Sequence, residues 1–274
     1  MTGYGSLLEK TRNTVHAIGV RPSRRFGQNF VVDPALIERM VEEANVRAED
    51  NVLEIGGGTG SLTESLTKSR PRTLMVMEKD RRLAAYLRTR FSGQSWVKVM
   101  EGDYLKADLP AYEKCISNPP FGISSKVMLK LIDEAPSLVV ITFERGYAQR
   151  LTSIAGEREY GRLSIMLQLN YEVQETAVFP NTSFFPPPST EISLLRMTLR
   201  ADRIDKNEAL ALQRVTNELF RYRRKRVSKA LRMSGLPKNL SSDPRLERFL
   251  DRRVFDLSPD DFLMLSEIVR DNAG

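Results

Sequence analysis

Apolar positions along the first two hundred residues switch repeatedly between a helical and an extended spacing. Over 34–45, Leu36, Ile37, Met40, Val41 and Ala44 recur at helical intervals behind Asp33 and Pro34, which predicts a capped amphipathic helix. Short apolar runs at 51–55, 73–77, 96–100, 114–117 and 138–143 predict strands. Helices are expected from about Ser61 and from Asp80 to about Phe91. The segments 163–173 and 192–199 complete a set of seven strands. Early strands that alternate with helices predict an α/β fold built on a twisted, mostly parallel sheet. The last two are joined by a proline-rich segment instead of a helix, so antiparallel pairing is expected at one edge.

After Arg200 the extended rhythm stops. Residues 207–232 and 259–271 have helical periodicity, with Leu210, Leu212, Val215, Leu219 and Phe220 expected on one face. Gly235-Leu236-Pro237 breaks the chain, and Asp243-Pro244 marks another helix start. The pattern predicts two domains, 1–199 and a small helical 200–274, with 1–33 as a basic leading segment.

Composition narrows the function classes. With 41% hydrophobic and 28% charged residues, the chain resembles neither a disordered nor a fibrous protein. No apolar run approaches the roughly 20 residues that span a bilayer, and 1–10 lacks a secretory apolar stretch, so a cytoplasmic protein without membrane attachment is expected. A single cysteine, Cys115, and a single histidine, His16, leave no basis for a disulfide, a zinc cluster or a His-based triad, and no metal is expected. The net charge of +7 is unevenly spread: residues 1–25 carry +4 and 200–253 carry +9, leaving −6 for the rest. Basic ends around an acidic body suit a polyanion held by the ends, with chemistry in the middle. Arg221, Arg223, Arg224, Lys225, Arg226, Lys229 and Arg232 place seven cations and no acid in twelve positions, read as a basic helix that contacts phosphates.

The chemistry is concentrated after successive strands. Glu54-Ile55-Gly56-Gly57-Gly58-Thr59-Gly60 follows the first strand of the main run, and Gly56, Gly58 and Gly60 allow a tight turn and close approach to a ligand. Glu78 ends the next strand, where a carboxylate can accept both ribose hydroxyls of an adenosine; Asp103 follows the third and can face the adenine amine. The Gly-x-Gly-x-Gly spacing behind an acidic Glu54 suits S-adenosylmethionine, whose sulfonium and ammonium groups are cationic, better than a pyrophosphate. The fourth strand leads into Ser117-Asn118-Pro119-Pro120-Phe121. There the Asn118 side-chain oxygen and the Pro119 carbonyl can accept the two N–H bonds of an exocyclic amine, and Phe121 can stack on an extruded base.

These residues carry a resemblance. The segments 25–31 (Arg-Phe-Gly-Gln-Asn-Phe-Val), the glycine cluster, Tyr160-Gly161-Arg162-Leu163-Ser164, Phe184-Phe185-Pro186-Pro187-Pro188 and the arginine-rich 221–226 resemble the ribosomal RNA adenine N6,N6-dimethyltransferase family, in the expected order from about residue 20 to the C-terminus. Where that family reads Asn-Leu-Pro-Tyr or Asn-Ile-Pro-Tyr, this chain has Asn118-Pro119-Pro120-Phe121, and Glu144-Arg145-Gly146-Tyr147 stands at its Gln-Lys-Glu stretch. The resemblance implies a seven-stranded Rossmann-like class I methyltransferase domain with a helical C-terminal domain. It also implies S-adenosylmethionine as cofactor and two adjacent adenosines near the 3′ end of small-subunit rRNA as target, met on the immature small subunit by a monomer. Carried over by motif, Asn29, Val31, Gly56, Gly58, Glu78, Asp103 and Asn118 border the cofactor. Asn118, Pro119 and Phe121 hold the adenine, with Phe184 as a second stacking face. Two other readings remain open at this point: an amino-methyltransferase acting on a large-subunit rRNA adenine or another amine or amide, and a non-catalytic RNA-binding assembly or transcription factor.

Overall fold

The computed structural model describes residues 4–22, 28–237, 240 and 243–272. It divides into two compact units, one comprising 1–145 with 174–198 and the other 146–173 with 199–274. The expected division at 199/200 differs from this in one segment, 146–173, which belongs with the helical unit because Tyr160, Ile165 and Leu169 are buried in its apolar cluster.

In the first unit, α1 (Tyr4–Ala17) is followed by β1 (Phe30–Val31) and α2 (Pro34–Ala44). The Asp33 carboxylate caps α2 by accepting from the Ala35 N–H at 3.0 Å, and Leu36, Ile37, Met40 and Ala44 turn inward. The alternation then runs through β2 (Asn51–Ile55), α3 (Ser61–Thr67), β3 (Thr73–Glu78), α4 (Arg81–Arg90), β4 (Val97–Glu101), β5 (Lys114–Ser117), α5 (Ser124–Glu134) and β6 (Leu138–Glu144). Asp80 caps α4 through the Arg82 N–H at 2.9 Å. After α6 (Arg145–Thr152) and α7 (Arg162–Gln168) come β7 (Tyr171–Phe179), β8 (Phe184–Phe185) and β9 (Ile192–Leu199).

The seven-stranded sheet has the order β4-β3-β2-β5-β6-β9-β7, and β1 pairs with β8 in a separate two-stranded ribbon. β2, β3, β4, β5 and β6 are parallel, whereas β9 runs antiparallel to β6. Strand order reverses between β2 and β5, so their C-terminal ends open a crevice at a topological switch point. The Ser117 hydroxyl donates to the Ile55 carbonyl at 2.7 Å and ties these two ends together.

The expected strand over 163–173 is corrected: 162–168 forms α7, and the strand begins at Tyr171 and runs to Phe179. The local cause is Ser164, whose hydroxyl accepts from the Gly161 N–H at 3.1 Å and donates to the Arg150 carbonyl at 2.6 Å, which starts a helical turn.

The second unit continues with α8 (Lys206–Leu219), α9 (Val227–Met233), α10 (Glu247–Leu250) and α11 (Pro259–Asp271). Asp205 and Glu208 form a reciprocal capping box at the start of α8. Leu212, Val215 and Leu219 are buried as expected, but Leu210 is 66% exposed, because two residues before Leu212 it lies roughly 200° around the helix. Residues 221–226 are not helical beyond a single 3-10 turn (Phe220–Tyr222), contrary to expectation. Their backbone pairs instead with a distant segment: the Val254 N–H donates to the Lys225 carbonyl, the Phe255 N–H to Arg223 and the Val227 N–H to Arg252.

Candidate active site

The crevice at the switch point lies wholly within the first unit and is bordered by β1, the glycine loop and the ends of β3, β4 and β5. Asn29, Val31, Gly56, Gly58, Glu78, Asp103 and Asn118, the seven residues expected to border the cofactor, all line it. Residues 25–27 of the leading motif lie outside the described residues.

The glycine loop is held from both sides. Gly56, Gly58 and Gly60 adopt φ of 84°, 53° and 79°, and a Cβ on Gly58 would stand 3.0 Å from the Phe30 ring. Gly57, not singled out in the sequence, is the tightest position: a Cβ there would stand 2.4 Å from Val76 Cγ1 and 2.7 Å from Leu87 Cδ1. Glu78, at the end of β3, accepts from the Gly58 N–H at 2.9 Å through Oε2 and from the Asp80 N–H at 2.8 Å through Oε1. Burial raises its pKa, and these backbone bonds oppose the rise. One carboxylate therefore both shapes the glycine loop and faces the crevice.

Asp103 accepts from Lys79 Nζ at 2.9 Å and from the Leu105 N–H at 3.1 Å. The Lys79 bond leads the effects that lower its pKa, so a carboxylate is held at the crevice. The next residue, Tyr104, lines the crevice too and donates to Glu134 Oε2 at 2.6 Å; Tyr112 donates to the same oxygen. Lys130 Nζ sits 2.9 Å from Glu134 Oε1. This cluster braces the turn after β4 against α5.

Glu54 is buried beneath the loop and accepts from Thr63 Oγ1 at 2.7 Å. Burial is the main cause that pushes its pKa up to about 8; the Thr63 bond opposes it and the charge of Glu78 adds to it. Between about pH 4.5 and 8 the unfolded carboxyl is ionised while the folded one keeps its proton, so the unfolded state binds fewer protons and stability falls as pH rises through that window. The unliganded protein is expected to lose melting temperature from pH 5 to 8 relative to Glu54→Gln. Parallel pH dependences of the two proteins would show that Glu54 does not keep its proton.

The loop after β5 also reaches the crevice. The Asn118 amide lines the crevice, with Nδ2 donating to the Asn29 carbonyl at 2.8 Å and Oδ1 accepting from Thr142 Oγ1 at 2.5 Å. Pro119 is buried and does not line the crevice, whereas Pro120 and Ile123 do. Phe121 is partly exposed and meets Phe184 edge-on, with ring centroids 6.1 Å apart at 72°. Phe184 is only 2% exposed, in a two-residue strand paired with Val31, so it has no open face for a base. The expected second stacking face is instead a buried support for Phe121.

A family model described as "Ribosomal RNA adenine dimethylase" matches residues 20–270. The chain belongs to the ribosomal RNA adenine dimethylase family. Among its relatives, "Probable ribosomal RNA small subunit methyltransferase A" of Pyrococcus abyssi is 34% identical over 260 residues, covering 93% of this chain and 94% of its own. "Probable dimethyladenosine transferase" of Drosophila melanogaster is 32% identical over 267 residues, covering 95% and 85%. A crystal structure of a dimethyladenosine transferase from Plasmodium falciparum superposes with a TM-score of 0.80 at 22% identity, covering 89% of this chain and 98% of that one. The 23S rRNA methyltransferase ErmE gives 0.69 at 23%, covering 88% and 100%. Both superpositions place this rRNA adenine dimethylase in the class I methyltransferase fold.

The seven cations from Arg221 to Arg232 do not act alike. Arg223 donates to the Glu157 and Arg158 carbonyls and lies over the Phe255 ring at 5.8 Å, and Arg226 pairs with Asp251 at 3.1 Å. Arg221 reaches Glu218 at 3.8 Å. Among the described residues none pairs with the side chains of Arg224, Lys225 or Lys229.

Proposed function

We propose that this dimethylase transfers methyl groups from S-adenosylmethionine to N6 of two adjacent adenosines in a hairpin loop near the 3′ end of small-subunit rRNA, acting as a cytoplasmic monomer on immature small subunits. The observation that carries this reading is the Asn118 amide, held in the crevice with its oxygen pointed away from the Asn29 carbonyl, beside two carboxylates at the ends of β3 and β4. The named relatives of similar length support the substrate class.

The residues fit the cofactor. Glu78 and Asp103 offer acceptors for ribose hydroxyls and an adenine amine, and the glycine loop leaves room where a Gly58 Cβ would press on Phe30. S-adenosylmethionine bound there supplies an electrophilic methyl group on a positively charged sulfur. Asn118 Oδ1 accepts one N–H of the adenine amine, withdraws the nitrogen lone pair from conjugation with the ring and stabilises the positive charge that develops on nitrogen. Phe121 stacks on the extruded base, held at its edge by Phe184. Asn29 and Val31 close the crevice from the β1 side.

Incubation with labelled S-adenosylmethionine and small subunits lacking the modification, followed by mass mapping, tests the proposal. It is expected to show dimethyladenosine at two neighbouring positions. Label in large-subunit rRNA or in protein alone, or no label, would overturn it.

The second unit carries the RNA-binding surface in this reading. Arg224→Ala, Lys225→Ala and Lys229→Ala together are expected to weaken RNA binding and flatten its salt dependence, by about 0.7–0.9 in log–log slope for each phosphate no longer neutralised, with cofactor affinity unchanged. A parental salt slope would make this turn ordinary solvated surface. Arg223→Ala is expected to act on stability instead, because its guanidinium already holds two backbone carbonyls of its own unit.

A further inference from the structure

We propose that Thr142 is a positioning residue for methyl transfer, one that sets the place of the Asn118 amide oxygen without itself touching the substrate. The inference rests on the reading of Asn118 as the acceptor of the target amine. It begins with an irregularity in the sequence: in the run 138–143, Leu-Val-Val-Ile-Thr-Phe, Thr142 is the one polar residue of a strand buried along that whole length. A buried hydroxyl needs a partner, and here the partner is the Asn118 amide oxygen. Ile141 pairs with Ser117 in the β5–β6 register, so Thr142 is the next residue along β6, as Asn118 is along β5.

The geometry assigns each atom. The Asn29 carbonyl can only accept, so the amide atom facing it at 2.8 Å is Nδ2, and the atom facing Thr142 at 2.5 Å is Oδ1. Against Oδ1 the threonine hydroxyl can only donate. Oδ1 has two lone pairs. Thr142 occupies one, and the other remains for a single N–H of the amine. A flipped amide would set its oxygen against the Asn29 carbonyl, acceptor to acceptor, and turn an NH₂ group toward the amine. Asn29 therefore fixes the sense of the amide and Thr142 fixes the position of its oxygen. Thr142 is fully buried and does not line the crevice, so it acts through Asn118.

Thr142→Val keeps the β-branched shape suited to a strand and removes the hydroxyl; Thr142→Ser keeps the hydroxyl. With the full chain and unmodified small subunits, Thr142→Val is expected to lower kcat about 10-fold, the scale of one lost positioning hydrogen bond. KM for RNA, cofactor affinity and melting temperature should stay near the parent's, and Thr142→Ser should recover most of the rate. A second readout needs no turnover: with ¹⁵N-asparagine labelling, hydrogen exchange of the Asn118 side-chain NH₂ should quicken in Thr142→Val and Thr142→Ala and remain slow in Thr142→Ser. Parental kcat and exchange in Thr142→Val would overturn the proposal. So would a rate loss matched by equal losses of cofactor affinity and melting temperature, or a serine variant that recovers nothing. An inactive parent whose Asn118 exchange still follows the hydroxyl would instead sink the functional reading and leave the positioning role standing.

Discussion

Asn118→Ala is expected to lower the rate of the first methyl transfer by about 10²–10³-fold, the scale on which removal of one preorganised group at a site of developing charge acts. The adenine amine is a poor nucleophile because its lone pair is shared with the ring, and an acceptor on its N–H bond matters most as positive charge grows on nitrogen. Oδ1 is held in place before substrate arrives, by Thr142 on one side and through Nδ2 by Asn29 on the other. Little reorganisation is then needed at the moment of reaction. The variant also leaves the Thr142 hydroxyl without its acceptor, which costs stability by about 1–3 kcal/mol. Asn118→Asp is expected to be nearly as slow, since a carboxylate cannot donate to the Asn29 carbonyl and turns an acceptor against it. Single-turnover methylation read by nucleoside mass spectrometry, with cofactor affinity by calorimetry, separates these effects. Parental turnover in the alanine variant would remove Asn118 from the chemistry.

The parts of the fold most legible in the sequence were those whose burial is uniform. β2, β3, β5 and β6 are inner strands of a parallel sheet, covered on both faces, and appear as short apolar runs ended by Gly, Pro or acidic residues. Residues 163–173 depart from their pattern for a different reason. Leu163, Ile165, Leu167, Leu169, Tyr171 and Val173 recur with a period of two, a strand pattern interrupted by the apolar Met166, yet Ser164 begins a helix that buries Ile165 and Leu167. Local hydrogen bonding overrode the pattern there. At 221–226 the charges gave periodicity no apolar face to reveal, and the backbone partners lie about thirty residues away at 252–255.

The lining of the crevice was legible where a residue stands at or just past the end of a strand, as Glu78, Asp103 and Asn118 do. It was not legible where a role arises from contact between distant segments. Gly57 lies outside the left-handed region, and its need for glycine comes from Val76 and Leu87 across the turn. The Tyr104–Glu134 bond spans 30 residues. Phe184 was in the right motif, but its place in β8 buries it against the core. For Thr142 the signal was present, a hydroxyl in an apolar strand, but its partner was set by the register of β6 on β5.

Glu78→Ala is expected to weaken S-adenosylmethionine binding by about 1.5–3 kcal/mol, some 10- to 150-fold, the range for hydrogen bonds to a charged group. Two losses combine in that figure. The variant lacks the acceptor for ribose hydroxyls, and it releases the Gly58 and Asp80 N–H groups that the two carboxylate oxygens now hold at 2.9 and 2.8 Å. Glu78→Gln separates them. A glutamine has one oxygen where the glutamate has two, so its NH₂ must face either the Gly58 or the Asp80 N–H, donor against donor. Gln is therefore expected to recover little of the lost affinity, although it matches glutamate in size. If the carboxylate served the ribose alone, Gln would bind the cofactor close to parental strength, because one amide oxygen can still accept a hydroxyl. Calorimetric titration of both variants with S-adenosylmethionine, each checked by thermal melt, decides between the two cases. Parental affinity in Glu78→Ala would mean that the carboxylate at the end of β3 neither touches the cofactor nor sets a loop shape on which binding depends.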